Sequence, residues 1–416
     1  MIRRLPLVLF LLAIATAPRA ATSACQFEQA PVGVQKLGPW IDKSNWLAIE
    51  NQRLSLQSAD VFMPVWRMAP IGDGKTVTEK QRQLDDFPLT DPFDGSRRDL
   101  GFLLDSRLYA DGLVVLRNGR VVAERYRNGL TPDKPRLLLE ATRPLLNLLG
   151  AISISQGKLA ADKSVSRFLP GLTASAGLRK MSIQRLLESE EHFAWAPEDL
   201  EAWRRASGWI PDQGENDIRA WLSQPGRWDK PLREREIHEL SAVPDDDLLA
   251  WTLAESNATP LSRLFCEQLL IRARPEHAVV WLTDSQGVDL AMGLGLSLRD
   301  FAKLGQVLVD ARNSRNRGKI PTWFIETLTA SSGLRNPEIK GLAKGSEQRY
   351  GFVHLGGAQN RAALIGTHGT SLYIDFDKRL VIAIYATRPG ENTPGMLALQ
   401  ELAWKSIDKA SAQPKK

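Results

Sequence analysis

Residues 112–126 constrain the fold most, because they carry a strong β-hairpin signal. Two largely apolar runs, Gly112–Arg117 and Arg120–Tyr126, are joined at Asn118-Gly119. This dipeptide favours the tight turn whose twist matches that of two antiparallel strands. Behind the hairpin, the apolar stretch from Leu145 to Ser155 predicts a helix. A sheet next to an apolar helix favours a mixed α and β fold.

The periodicity of apolar residues changes again further along the chain. Residues 97–110 and 145 to about 315 are predicted to be mostly helical, and Leu298–Val309 has a regular amphipathic pattern. Strand patterns return near the C-terminus, and a last helix is expected from Gly395 to about Ile407. The predicted C-terminal strands lie within Tyr350–His354, Ala363–Asp375 and Leu380–Ala386. The sequence thus predicts strands at both ends of a helical middle.

Composition narrows the class of protein. The 416 residues are 43% hydrophobic, which allows a large core in one mixed domain or two packed lobes. The net charge is +6, with basic and acidic residues interleaved along the chain. Proteins that bind nucleic acid usually carry a basic stripe with aromatic residues between the charges, so nucleic acid is not an expected partner.

The N-terminus has the features of a secretory signal peptide over residues 1–24. Arg3 and Arg4 precede an apolar run that ends near Ala17, and small residues follow. That run is too short to span a bilayer, so we expect an exported, periplasmic protein with no transmembrane span. Cys25 follows small residues, as a lipid-modified cysteine would. Ordinary cleavage is favoured over a lipid anchor because the usual leucine three positions before the cysteine is absent.

Cysteine and tryptophan usage give two further expectations. Cys25 and Cys266 are the only cysteines. Export permits a disulfide, but Cys25 lies at the expected mature terminus, so the sequence favours an unpaired, buried Cys266. Several of the twelve tryptophans lie between Trp195 and Trp251, which indicates an aromatic surface in an insertion near residues 190–240.

The hairpin, the apolar helix, Gly157-Lys158-Leu159 and the run Asp162–Pro170 together resemble the serine β-lactamase-like and penicillin-binding proteins. The resemblance is to the branch of 6-aminohexanoate-dimer hydrolases and esterases. It implies an α/β (α+β) fold, in which N- and C-terminal segments build an antiparallel sheet flanked by helices, beside an all-helical lobe. The expected boundaries are a signal peptide at 1–24, an N-terminal extension at 25–94, a β-lactamase-like domain at 95–408 with its helical lobe at about 160–290, and a tail at 409–416.

The family's Ser-x-x-Lys motif falls on Glu140 and Arg143. In that motif the lysine amine takes the proton of the serine hydroxyl, and the serine oxygen attacks a carbonyl. Arginine cannot act in this way because its guanidinium stays protonated. Attack by Glu140 would give a reactive anhydride instead of an ester. Each substitution therefore removes the family's chemistry.

Glu140 and Arg143 can instead form an ion pair, since residues three apart share a helix face. The alternative is that Arg143 holds a carboxylate or phosphate of a ligand. Pro144 disfavours helical dihedrals at Arg143, so the helix is expected to begin later than in active relatives.

The other two family motifs are also altered. The position of a catalytic tyrosine falls on Ser241, ahead of a helix that contains Trp251. The strand motif Lys/His-Thr/Ser-Gly falls on Gly366–Ser371, where His368 is either a ligand contact or a structural residue and Thr370 follows it. Ser155 and Lys158 also have Ser-x-x-Lys spacing, but they end a helix and are not expected to be catalytic.

The resemblance therefore predicts an exported hydrolase homologue that has lost catalysis and serves as a binding or scaffolding protein in the cell envelope. The expected ligands are small carboxylates or cell-wall fragments, held by Arg143, His368 and Thr370, and an envelope protein is a further candidate partner. No cofactor or metal is expected. The alternative is an active amidase, esterase or carboxypeptidase-like hydrolase that uses Glu140 as a base or Ser241 as a nucleophile, with His368 in reach.

Overall fold

The structure, a computed structural model, describes residues 24–30, 32–71, 76–188, 191–212, 214–234, 243–313, 319–330, 336–357 and 360–412. Its strands are β1 (Phe27–Ala30), β2 (Lys36–Leu37), β3 (Ile41–Asp42), β4 (Val65–Met68), β5 (Pro88–Thr90), β6 (Arg97–Asp99), β7 (Ala110–Arg117), β8 (Arg120–Tyr126), β9 (Arg136–Leu137), β10 (Glu191–Phe193), β11 (Leu232–Glu234), β12 (Val279–Thr283), β13 (Asp289–Leu296), β14 (Glu347–Arg349), β15 (Phe352–His354), β16 (Arg361–Ile365), β17 (Ser371–Asp375) and β18 (Leu380–Ala386).

The α-helices are α1 (Gln52–Ser55), α2 (Leu100–Phe102), α3 (Arg143–Ser155), α4 (Ala176–Lys180), α5 (Ile183–Glu188), α6 (Pro197–Ala206), α7 (Ile218–Leu222), α8 (Pro244–Asn257), α9 (Leu261–Phe265), α10 (Ile271–Ala273), α11 (Leu298–Arg312), α12 (Thr322–Thr329) and α13 (Pro394–Ala412). Wider π turns at Leu103–Arg107 and Cys266–Leu270 continue α2 and connect α9 to α10. Short 3-10 turns lie at Leu139–Thr142 and Thr367–Gly369, among other places.

The predicted antiparallel sheet is confirmed. Within the described ranges it joins seven strands in the order β14-β15-β16-β17-β18-β7-β8, so the hairpin pairs with strands near the C-terminus. Alternate residues of β7 face opposite sides of the sheet. Val114 and Leu116 belong to the core that includes α11, and Leu113 and Val115 to the core that includes α13. A glycine lets α11 approach closely, since a Cβ on Gly305 would lie 2.7 Å from Val381.

A second sheet corrects two expectations, that residues 25–94 are only an extension and that the lobe is all helical. Among the described residues, five strands pair in the order β1-β4-β12-β13-β9. The N-terminal segment, expected as an extension, therefore contributes β1 and β4 to this sheet. The region expected to be all helical also contains β12, the start of β13 and the β10–β11 pair. Every residue of β12 and β13 is buried, and such continuous apolar runs cannot be told from buried helices by periodicity alone.

The expectation of an unpaired Cys266 was wrong. Cys25 and Cys266 form a disulfide, with their Cα atoms 5.8 Å apart. The fold brings the two together because β1 lies beside the core to which Cys266 belongs. The disulfide therefore anchors the N-terminal segment to the turn between α9 and α10. At the other end of the chain, α13 continues to Ala412, into the expected tail.

The expected aromatic surface is also corrected. Five tryptophans of the insertion are at most 9% exposed: Trp195, Trp203, Trp209, Trp221 and Trp228. Trp195, Trp221, Trp228 and Phe193 pack on one another, Trp209 stacks on Trp46, and all five tryptophans belong to the main core. The indole N–H groups of Trp195, Trp203 and Trp228 donate to acceptors that other segments supply, and sequence spacing does not reveal those acceptors. The insertion is thus a small aromatic core.

Candidate functional site

The altered motif lies where the start of α3 meets the sheet. A 3-10 turn at Leu139–Thr142 leads directly into α3, and it contacts the turn at Thr367–Gly369. Gly366 allows this contact, because a Cβ there would lie 3.0 Å from the Cβ of Ala141. The side chain of Glu140 is partly exposed at this junction. Two motifs that are more than 200 residues apart in sequence are therefore brought together.

Arg143 is buried and has several partners. Its guanidinium donates to the carboxylate of Asp246, to Asn147 Oδ1 at 3.2 Å and to the carbonyl oxygen of Leu186 at 2.7 Å. The side chain is only 6% exposed. Asn147 is fixed in turn, since its amide donates to the carbonyl of Tyr350 at 3.0 Å. These contacts leave no exposed guanidinium face for a ligand, and the ion pair with Glu140 stays a prediction.

The expected effect of Pro144 on Arg143 was wrong, because Arg143 has helical dihedrals, φ −54° and ψ −48°, and is the first residue of α3. A residue before proline normally avoids this conformation. Here the three polar contacts of the guanidinium hold Arg143 in this conformation. A helix start later than in active relatives stays a prediction.

Sequence reasoning missed the three consecutive acids at the start of α8. Successive helical residues point about 100° apart, so each carboxylate reaches a different segment. Asp245 accepts from the Trp195 indole at 2.6 Å, and Asp246 accepts from Arg143 and from the Val243 N–H. Asp247 accepts from the Trp203 indole and from the Ala291 N–H, both at 2.8 Å.

This acidic run is buried, with exposures between 1% and 4%. Burial raises the pKa of Asp247 to about 7, although its two hydrogen bonds oppose that shift. Three acids after Pro244 at a helix start are a visible signal, since carboxylates are favoured at helix N-termini. That signal does not say which residues they bind.

His368 lies in a tight turn, with φ +60°, beside two buried arginines. Its Nδ1 is 2.9 Å from the carbonyl oxygen of Arg388. Burial lowers the pKa of His368, and the nearby cations Arg388 and Arg136 lower it further. The neutral ring with its proton on Nδ1 is therefore favoured. In this tautomer Nε2 of His368 is a hydrogen-bond acceptor.

Thr370 contacts a buried cation that sequence reasoning did not single out. Arg136 is 2% exposed; it donates to Thr370 Oγ1 at 3.3 Å and to the carbonyl of Ala386 at 2.8 Å. Its guanidinium also lies over the ring of Tyr385, at 5.1 Å from the centroid. Arg136 therefore supports the strand end that presents His368 and Thr370.

Two candidates from the sequence remain, Ser241 and the Ser155–Lys158 pair. Ser241 lies outside the described residues. Ser155 ends α3 and accepts a hydrogen bond from the Trp323 indole at 3.2 Å, and Gly157 follows with φ +71°. The Ser155–Lys158 spacing thus marks a helix end, as predicted.

The described part of the chain contains neither a metal-binding cluster nor a helix that could span a bilayer. No group of three or more His, Cys, Asp or Glu side chains there could hold a metal ion. None of the helices in the described ranges combines the length and apolar character that a bilayer span requires.

The chain matches no protein-family model. It is similar to the 6-aminohexanoate-dimer hydrolase of Paenarthrobacter ureafaciens, at 22% identity over 302 residues that cover 70% of this chain and 76% of that protein. A solved structure named as a candidate 6-aminohexanoate-dimer hydrolase from Bacillus anthracis has a TM-score of 0.69 at 19% identity, covering 88% of this chain and 96% of the other. A class C β-lactamase variant has a TM-score of 0.52 at 13% identity, with coverages of 74% and 97%. These likenesses confirm the predicted resemblance and the β-lactamase-like fold.

Proposed function

We propose that this chain, which has the fold of β-lactamase-like serine hydrolases, is an exported protein that does not catalyse Ser-x-x-Lys hydrolysis and acts by binding in the cell envelope. One observation carries the proposal. The residue at the position of the catalytic lysine, Arg143, is a buried guanidinium held by the carboxylate of Asp246. It is a structural cation.

The chemistry of both positions supports this function. A general base must lose a proton near neutral pH, and guanidinium does not. Its contact with Asp246 stabilises the charged form further. At position 140 a carboxylate replaces the hydroxyl nucleophile. His368 retains an acceptor on Nε2 in its favoured tautomer, but a base alone does not supply the acyl-enzyme chemistry of the family.

Export to an oxidising compartment is part of the proposal. The Cys25–Cys266 disulfide supports it, because such bonds persist outside the cytosol and are rare inside it. The signal-like residues 1–24 point the same way. A sulfur in a disulfide cannot also carry the thioether of a lipid anchor, so we favour a form without lipid at Cys25.

The ligand is proposed to be a small carboxylate or cell-wall-derived anion at the turn that contains His368 and Thr370. The support is electrostatic, since the guanidinium groups of Arg136 and Arg388 lie beside this turn. Arg143, an expected ligand contact, is not part of this site because it is buried among its own partners. A protein partner in the envelope would bind elsewhere than at the buried tryptophans.

The test is covalent labelling. The protein is incubated with a penicillin and with a fluorophosphonate, and the intact mass is measured. We expect no adduct. A matched variant, Glu140→Ser with Arg143→Lys, restores the two motif residues and shows whether the surrounding site can still be acylated.

A stoichiometric adduct on the unmodified protein would overturn the proposal. Peptide mapping would then identify the nucleophile, and an adduct at Ser241 would support the active hydrolase instead. Labelling of the restored variant alone would show that the two substitutions are what prevents acylation.

A further inference from the structure

A separate cavity lies between α10, α11 and the turn of the β7–β8 hairpin. Its volume is about 510 Å³, and its walls include Gly119 of that turn. β18 begins beside Arg117, next to the hairpin turn, and His368 contacts Arg388 just beyond the other end of β18. A strand of seven residues spans about 20 Å. The cavity is therefore distinct from the turn that contains His368.

Arg272 presents accessible N–H groups on the wall of this cavity. Its Nη1 donates to the carbonyl oxygens of Glu267, at 3.3 Å, and of Gln268. Among the described residues, Nε and Nη2 of Arg272 have no acceptor, and neither nitrogen is buried. These two nitrogens form the fork with which a guanidinium binds both oxygens of one carboxylate.

The charge of Arg272 also has no carboxylate partner among the described residues. Burial lowers the pKa of Arg272, and no described acid contributes an opposing shift. Two other charges of the wall are matched, since Lys303 lies 2.8 Å from Glu276 and Asp310 lies 3.6 Å from Arg379. Arg272 is therefore the cation on this wall that a bound anion can neutralise.

The acid of the wall, Asp310, lies away from Arg272. Lys303 donates to the carbonyl oxygen of Arg274 at 2.9 Å, which places the first turns of α11 beside α10. Asp310 is seven residues further along α11, and this corresponds to about 10 Å along the helix axis. The end of the cavity near Arg272 is thus basic and favours an anion.

Apolar side chains complete the wall. Val77, Ala273 and Val307 line the cavity, and Val77 is 58% exposed. An alkyl chain in the cavity would remove apolar surface of Val77 from water, which is favourable. A cavity of this volume that combines apolar walls with few polar groups is typical of small-molecule sites.

We propose that this cavity binds an amphipathic carboxylate, which accepts hydrogen bonds from Nε and Nη2 of Arg272 while its alkyl chain contacts Val77 and Val307. The proposal does not depend on the function proposed above, because the two sites lie at opposite ends of β18.

The experiment is calorimetric titration of the full chain with sodium heptanoate at neutral pH. Heptan-1-ol and n-heptylammonium are the comparison ligands, because they keep the chain and remove or reverse the charge. We expect saturable binding of heptanoate and of neither comparison ligand. Arg272→Gln removes the charged fork and keeps an amide donor for the carbonyl of Gln268, so the Kd should rise about 10- to 100-fold.

Two further variants complete the design. Val77→Asp replaces an exposed apolar contact with a negative charge and should also raise the Kd at least 10-fold, which keeps the proposal testable if Arg272→Gln does not fold. Arg263→Gln is the matched control, since Arg263 pairs with Glu267 at 3.0 Å and does not line the cavity. Its Kd should equal that of the unmodified protein.

His368→Ala separates this site from the anion site proposed above, and it should leave the Kd for heptanoate unchanged. Absence of saturable heat, equal binding of heptan-1-ol, or an unchanged Kd in Arg272→Gln or Val77→Asp would overturn the proposal. Binding that is lost in His368→Ala and kept in Arg272→Gln would also overturn it, and would support the anion site at the His368 turn instead.

Discussion

Removal of the Asp246 carboxylate tests the ion pair that makes Arg143 a structural residue. The two side chains are 6% and 3% exposed. In Asp246→Ala the guanidinium would keep only the neutral acceptors of Asn147 and Leu186 among the partners described above. The N–H of Val243, which caps α8 through Asp246, would also lose its acceptor.

The expected magnitude follows from these contacts. Breaking a buried ion pair by removing one partner costs about 3–5 kcal/mol, because the other charge stays buried. Loss of a helix cap adds about 1 kcal/mol. We therefore expect Asp246→Ala to lower the free energy of unfolding by about 4–6 kcal/mol. The control is Asp408→Ala, which removes a more exposed carboxylate that pairs with Arg117, at 2.7 Å, and with Lys378, and it should cost about 1 kcal/mol.

Urea unfolding followed by near-ultraviolet circular dichroism measures both variants at neutral pH. A third variant, Arg143→Met with Asp246→Leu, replaces both charges with apolar groups and should recover most of the loss. The reasoning would be refuted if Asp246→Ala cost no more than Asp408→Ala. It would also be refuted if the double variant recovered none of the stability that Asp246→Ala loses.

Two further predictions concern stability. The disulfide closes a loop with a sequence separation of 241 residues, so Cys25→Ser with Cys266→Ser should lower the free energy of unfolding by up to about 5 kcal/mol, and a loss below about 1 kcal/mol in urea unfolding would contradict this. Burial raises the pKa of Asp247 to about 7, above its unfolded value of 3.8, so the folded protein binds the proton first. Its carboxylate therefore lowers stability progressively as the pH rises from about 4 to about 7. Asp247→Asn should show a flatter dependence of the urea midpoint on pH between about 5 and 8, and an unchanged slope would show that Asp247 is not the group responsible.

Local patterns made much of the fold predictable. The Asn118-Gly119 turn, the apolar run of α3 and the amphipathic α11 are each specified by neighbouring residues, and the structure has them as expected. The meeting of the Glu140 and His368 segments came from the family resemblance. It could not have been derived from propensity, because it depends on the order of strands in the sheet.

Contacts between distant segments were not predictable. The Cys25–Cys266 disulfide depends on where β1 lies, and spacing in the sequence carries no record of that. The partner of Arg143 lies 103 residues away at the start of another helix. The tryptophans of the insertion suggested a surface because aromatic residues are common at interfaces. They are buried instead, and Trp195 donates to Asp245, which lies 50 residues away.

The two indole hydrogen bonds to the acids of α8 have an optical consequence. Trp195 and Trp203 each donate to a buried carboxylate. The emission of a tryptophan responds to the electric field and the hydration around its ring. Proton uptake by Asp247 changes the field at Trp203 directly, and separation of α8 from β10 would admit water to Trp195. The protein's own fluorescence is thus a label-free readout of whether the start of α8 is still in contact with its neighbours.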